Sequence, residues 1–384
     1  ISGREEARLI YIGTAHSLPS ASHIRLVVDI GGGSTEFIIG RKVEPQLMES
    51  LYMGCVSYSR KFFPDGVIDA YAMKTAELAA RREFEVITKP YRKLGWAEAF
   101  GSSGTAKALY AILVDGRLSQ NGITREGLDR LKQKLIRSGR VVPGDLPGIK
   151  VERADVLTGG LAIMTAFFDE FEVDFMQTGD GALRLGVLVD LAGREKASDR
   201  RDQSVRAFMK RYNVDVRQAA RVKRCALTLF DSLFPDRSPQ DEVRHTLSWA
   251  ADLHEVGMSI AQAGYHKHSS YILHHADMPG FSRVDQAGLA LLVLAHNGKL
   301  GKAQSLIRNR DQWMAILCLR LAVLLCRRRE DVLGVPLTVS VKGSSIVATI
   351  DRKWVSNHPL TDFSLHAEET EWNKVGFDFK LIPV

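Results

Sequence analysis

Cysteine is scarce: four residues in 384 (Cys55, Cys225, Cys318, Cys326), with no Cys-x-x-Cys pair. That excludes a disulfide scaffold and a zinc ribbon, and it favours a reducing, cytoplasmic setting. Cys318 and Cys326 fall in an apolar helical pattern and read as core thiols. No apolar run is long enough to span a bilayer; the stretches near 286–295 and 314–326 are short and flanked by charge, as buried helices are. The Gly-Lys-Ser/Thr ending of a nucleotide P-loop is missing. Aromatics make up 8% of the chain and do not interleave with basic residues as they do in single-strand binders. There is no zinc-finger spacing and no single long basic stripe, so we expect no nucleic-acid partner. No repeat and no low-complexity segment is present. The chain opens on Ile1-Ser2-Gly3 without an initiator Met or a secretory pattern, so we expect a natural N-terminal portion ahead of it. The net charge of +7 fits an anionic ligand, although solvated Lys and Arg on helix faces would produce the same excess.

The most informative stretch is Val27-Val28-Asp29-Ile30-Gly31-Gly32-Gly33-Ser34-Thr35-Glu36-Phe37-Ile38. It reads as strand, tight turn, strand. Three glycines let backbone N–H groups approach an anion with no side chain in the way. Asp29 and Glu36 flank this cradle, and a phosphate beside two carboxylates requires a cation between them. The stretch therefore predicts a metal-assisted phosphoryl site. The plainer alternative, a hairpin with two solvated acids, does not explain the order acid, three glycines, Ser-Thr, acid.

Around this motif, residues 1–190 alternate short β-rich runs with helical patterns, as an α/β domain does. Strands are expected at Arg25–Ile30, Phe37–Ile39, Leu47–Met53 and Phe175–Thr178. Residues 193–203 are charge-dense and read as a linker or a helix-start boundary. From 204 to about 328 the period is helical, including one helix over Glu242–Ala263. From Val335 onward, Leu337–Val341, Ile346–Ile350 and Phe377–Ile382 alternate as a small closing sheet.

Gly101-Ser102-Ser103-Gly104-Thr105 lies between an apolar run and a helix, where free N–H groups and hydroxyls bind anions. It is a candidate second phosphate loop; an N-cap on a glycine turn is the equal alternative. A general base must be a carboxylate or His near phosphorus, but spacing does not separate Glu6 from its neighbour Glu5 or from other acids. His254-Glu255, with His266, His268, His274 and His275, forms a histidine-rich helical patch. A His-Asp metal centre needs Asp after the first His and further ligands. Here Glu255 follows, so clustered structural histidines are the better reading, with anion contact by His266 or His268 as the minor one.

Together the segments Ile1–Ile10, Asp29–Glu36, Met53–Ser57, Gly101–Thr105, Asp180–Leu188, Leu253–Gly257 and His266–Leu273 resemble the exopolyphosphatase/guanosine pentaphosphate phosphohydrolase family, in order and over nearly the whole chain. The resemblance implies a fold of α/β plus α. Residues 1–192 would be a ribonuclease-H-like half of the actin/sugar-kinase/heat-shock ATPase superfold, with the end of the first half at 1–10. Residues 193–328 would be a helical His-Asp-like domain, and 329–384 a small α+β sheet domain. The first half's Asp-x-Gly-Ser-Asn-Ser-type loop is not found here. By the same resemblance Glu6 matches the catalytic base, and Asp29 and Glu36 match acids at the cation and water site, Glu36 also being catalytic. Gly31, Gly32, Gly33 and Ser34 match the phosphate loop; Ser103, Gly104 and Thr105 join as substrate contacts. Magnesium is the implied cofactor, with potassium as an optional second cation. The implied substrates are inorganic polyphosphate and guanosine pentaphosphate, and a homodimer is expected. Arg201, Lys210, Arg211 and Lys267 are candidates for holding a polyanion.

The leading expectation is therefore an exopolyphosphatase, with 5′-phosphate removal from guanosine pentaphosphate as runner-up. A non-catalytic polyphosphate-binding module competes from another class, against which the intact Glu6, Asp29 and Glu36 argue. A kinase of the same superfold would need an adenine pocket and an acceptor base, for which there is no positive sign.

Overall fold

Residues 26–28 are apolar on both faces of their strand, and in the computed structural model both faces are covered. The structure describes residues 1–194, 199–331 and 334–384. The linker expected over 193–203 thus lies in part, at 195–198, outside the described residues. The chain divides into two units, Ile1–Ser198 and Asp199–Val384.

In the first unit the elements are α1 (Gly3–Ser17), β1 (Ile24–Ile30), β2 (Thr35–Arg41), β3 (Glu44–Leu51), α2 (Cys55–Phe62), α3 (Ala70–Leu94), β4 (Glu98–Gly101), α4 (Gly104–Asp115), β5 (Ile123–Thr124), α5 (Arg125–Ser138), α6 (Ala154–Phe171), β6 (Phe175–Thr178) and α7 (Ala182–Arg194). The sheet order is β3-β2-β1-β4-β6-β5. β1, β2 and β3 run antiparallel, whereas β4 pairs parallel with β1 and β6 parallel with β4. This is the ribonuclease-H-like order. One face carries the larger core, in which Phe37, Phe84, Phe167 and Phe171 pack as an aromatic cluster. On the other face Ala7, Ile10 and Tyr11 of α1 cover Val27, Ile38 and Phe100. α1 is held there by α7 at two glycines. A methyl group at Gly13 would fall 1.9 Å from the Ala182 carbonyl oxygen, and one at Gly186 would fall 1.8 Å from that of Leu9.

The second unit begins with α8 (Arg200–Arg211), α9 (Val216–Leu233), α10 (Glu242–Leu253), α11 (Tyr265–His275), α12 (Arg283–Ala295), α13 (Gly301–Gln304) and α14 (Arg310–Leu325). It closes with β7 (Leu337–Lys342), β8 (Ser345–Ile350), α15 (Arg352–Ser356), α16 (Pro359–Lys374) and β9 (Asp378–Pro383). β7 and β8 form an antiparallel hairpin through Gly343 at φ +60°, but β8 and β9 are parallel. A parallel pair needs a crossover of a dozen residues or more. That is why α16, absent from the sequence reading, lies between them. Its Trp372 and Leu365 join the core of the helices, with Trp372 against Trp313 of α14. The helix expected over Glu242–Ala263 also ends early, at Leu253. α11 crosses so closely there that a methyl at Gly257 would lie 2.3 Å from both Ser269 N and the Tyr265 carbonyl oxygen.

Candidate active site

The turn after β1 is built by hydrogen bonds that point its amides one way. The N–H of Cys55 donates to the Gly31 carbonyl (2.9 Å), and those of Val56 and Ser57 donate to the Gly32 carbonyl (3.0 and 3.2 Å). The start of α2 thus captures both carbonyls. In a trans peptide the following N–H points opposite to its carbonyl, so the N–H groups of Gly32 and Gly33 face away from α2. Among the described residues nothing accepts from them. A Cβ at Gly33 would meet nothing within 4 Å, which leaves open space over these amides. None of the three glycines has a positive φ; they serve by lacking a side chain, not by unusual backbone. The close approach instead demands glycine at Gly54, where a Cβ would fall 2.4 Å from the Gly32 carbonyl oxygen.

Asp29 and Glu36 are direct cross-strand partners, the last such pair but one before the turn. Residues directly opposite have Cβ atoms roughly 5 Å apart, so the two carboxyl groups share one face. Burial raises the Asp29 pKa, against a hydrogen bond from Ser102 Oγ at 2.7 Å, and Glu6 raises it further. Glu36 is 1% exposed. Burial pushes its pKa up to about 7, against hydrogen bonds from Ser50 Oγ (2.8 Å) and Ser34, while the charges of Glu6 and Asp29 add to the rise. Both carboxyl groups resist ionising together unless a cation joins them.

The neighbouring acids of α1 separate cleanly. Glu5 is buried and bidentate to Arg8 (2.8 and 2.7 Å), which also reaches Asp190 at 2.6 Å. Glu6, one position on, acts electrostatically on both Asp29 and Glu36. Spacing alone did not divide these two residues, because the choice rests on how α1 docks.

The second loop lies at the end of β4, beside β1. Ser103 caps α4 by accepting from Ala106 N at 3.0 Å, and Thr105 Oγ1 donates to the Ile30 carbonyl at 2.9 Å. Thr105 therefore ties the second loop to the end of β1, and Ser102 ties it to Asp29. Sequence reading missed Arg153, just before α6. A methyl at Gly104 would lie 2.3 Å from Arg153 Nη2, so this guanidinium rests on the start of α4. Only an Arg ahead of a glycine-containing apolar helix marks it in the sequence, a weak signal. Lys107 of α4 pairs with Asp180 at 2.6 Å. Of the suggested polyanion contacts, Arg201 is 3% exposed, held by Asp199 and Glu242 and stacked over Trp249.

Among the described residues no three His, Cys, Asp or Glu side chains converge on one metal position. Two carboxylates nonetheless fit magnesium, which keeps several waters and takes its remaining oxygens from substrate phosphate. The histidine patch does not form such a site. His254 and His296 turn Nδ1 to the carbonyls of Ala251 (2.8 Å) and Val293 (2.5 Å), and burial keeps both neutral. No helix among the described residues is long and apolar enough to cross a membrane.

The chain is similar to known proteins over most of its length. Residues 1–195 match the model of the Ppx/GppA phosphatase family, and residues 200–369 match that of Ppx/GppA phosphatase domain III. A protein of Pseudoalteromonas translucida (strain TAC 125), named guanosine-5′-triphosphate,3′-diphosphate pyrophosphatase, is 36% identical over 98% of this chain and 76% of its own length. The solved Ppx/GppA family member of Aquifex aeolicus is 24% identical, with a TM-score of 0.44, over 52% of this chain and 65% of that one. An exopolyphosphatase from Cytophaga hutchinsonii ATCC 33406 is 24% identical, with a TM-score of 0.44, over 50% and 64%. The chain thus spans less than two thirds of these solved relatives. It belongs to the Ppx/GppA phosphatase family.

Proposed function

We propose that this member of the Ppx/GppA phosphatase family hydrolyses the terminal phosphoanhydride of a linear phosphate chain, inorganic polyphosphate first. The observation that carries this reading is the cross-strand pair Asp29–Glu36, under the influence of Glu6 and beside the free amides of Gly32 and Gly33. Those amides and the start of α4, with Ser103, Gly104 and the Arg153 guanidinium, bind the phosphate oxygens and orient the terminal group. Ser34 stays on Glu36 and Thr105 on the strand end, so both contribute by holding the cradle. Asp29 and Glu36 hold a divalent cation, magnesium by its taste for oxygen ligands; when bound, it neutralises charge on the phosphoryl group and its leaving oxygen. Glu6 accepts the proton of the attacking water, and Glu36 orients that water. The four buried free thiols fit a cytoplasmic setting. A homodimer and an accessory potassium ion belong to the same reading.

One observation favours a second substrate. The Pseudoalteromonas relative, matched over 98% of this chain, is named for guanosine pentaphosphate. Magnesium-dependent phosphate release from long-chain polyphosphate and from guanosine pentaphosphate, measured in parallel, separates the two. It is run on this chain and on a version extended at its N-terminus. Faster release from polyphosphate supports the first reading, and preference for the nucleotide promotes the second. Binding of either without release from any version would leave a binding module instead.

A further inference from the structure

The second unit holds a cavity of about 590 Å³ that the phosphatase chemistry does not use. Small-molecule sites span roughly 300–1,000 Å³. Its walls sort by chemistry. At one end His254, His296, Glu255 and Tyr265 line it. With Nδ1–H given to backbone carbonyls, each imidazole offers Nε2 only as an acceptor. His296 Nε2 is met by the Tyr265 hydroxyl at 3.0 Å. Among the described residues nothing hydrogen-bonds His254 Nε2, and Glu255 Oε1 lies 3.9 Å from it, too far to bond. A bare nitrogen acceptor and a carboxylate therefore stand side by side, next to a tyrosine ring.

Basic residues line the cavity as well. Arg320 is spent on Glu368 in a bidentate pair (2.6 and 2.5 Å), and Arg329 on Glu255 (2.7 Å) and Asp215 (3.0 Å). Arg327 and Lys299 also line the cavity, are exposed, and make no ion pair among the described residues. A lone phosphate fits poorly, since it would not use the acceptor end, and the Glu255 carboxylate there repels it. A metal fits poorly too, because among the described residues no three ligand-type side chains converge here.

We propose that this cavity binds a nucleotide, its base donating N–H groups to His254 Nε2 and Glu255 and stacking near Tyr265, its phosphates on Arg327 and Lys299. The pocket stands independently of the carboxylate chemistry in the first unit. The test is calorimetric titration of the chain with GDP, whose base presents adjacent N–H donors, and separately with inorganic phosphate. Two variants locate the site: Gly33→Asp, which puts a negative charge into the glycine cradle, and the double variant Arg327→Ala/Lys299→Ala at the exposed basic residues. The proposal expects GDP binding to survive Gly33→Asp. It expects at least a tenfold loss in the double variant, with phosphate alone at least tenfold weaker than GDP. Hydrogen exchange should slow at Leu253–Gly257 on adding GDP to wild type. GDP binding that vanishes in Gly33→Asp and is unchanged in the double variant would overturn it, as would no GDP binding at millimolar concentration.

Discussion

Two buried clusters of titratable groups, one in each unit, meet the same low-dielectric surroundings and reach opposite ends. In the first unit burial raises Asp29 and Glu36, and their mutual charge and that of Glu6 raise Glu36 further. In the second, burial lowers His254 and His296, and backbone carbonyls accept the Nδ1–H of each neutral ring. A neutral histidine is stable as it stands. A carboxylate pair is not, at neutral pH, without a cation. Density of ligand-type residues is thus a poor guide to a metal site; what counts is whether the fold leaves their charge uncompensated.

The sharpest way to break this contrast is Glu36→Gln. It should lower phosphate release by about 10³-fold while polyphosphate binding, followed by fluorescence, persists; unchanged turnover would remove Glu36 from the chemistry. Next comes the pair of α1 acids. Glu6→Gln should cost about 10²-fold in kcat with little change in melting temperature. Glu5→Gln should do the reverse, losing about 3 kcal/mol of stability by leaving Arg8 half-paired in a buried site. Equal behaviour of the two variants would erase the distinction between base and structural partner.

The loop gives a third test. Gly54→Ala collides with the Gly32 carbonyl and should lower kcat/KM by about tenfold or more. Gly33→Ala has open space and should cost less. A fourth concerns pH. The folded pKa of Glu36, about 7, lies above its usual 4.5, so the folded chain holds that proton more tightly between those values. Its contribution to stability is complete below about pH 4.5 and lost as pH rises through 7. Without metal, unfolding free energy should fall on the order of 2 kcal/mol across that window, and magnesium should restore it; thermal melts from pH 5 to 8 read this directly. The smallest effect is the most discriminating: Glu255→Gln should leave divalent-metal stoichiometry unchanged, whereas Asp29→Asn should abolish it.

Much of the first site was legible because it is local. Residues 29–36 are a hairpin, and a period-two pattern broken by three glycines places Asp29 opposite Glu36 without any long-range information. Glu6 and Arg153 were harder. The first depends on α1 docking by Gly13 and Gly186 onto α7, the second on a guanidinium meeting Gly104 from nearly fifty residues away. In the second unit α16 escaped notice because Leu360 and Phe363 are exposed and its acids blur the apolar period; the parallel pairing of β8 with β9, invisible in sequence, is what requires it. The length of α10 was overestimated because nothing local shows that α11 must cross at Gly257.

The most direct test of the carboxylate account is the titration of Glu36 itself, followed by ¹³C NMR of labelled glutamate side chains with and without magnesium and assigned by Glu36→Gln. The account predicts a midpoint near 7 in metal-free protein that falls well below that value when magnesium is added. A midpoint near 4.5 in both, or one near 7 that magnesium leaves unmoved, would contradict it.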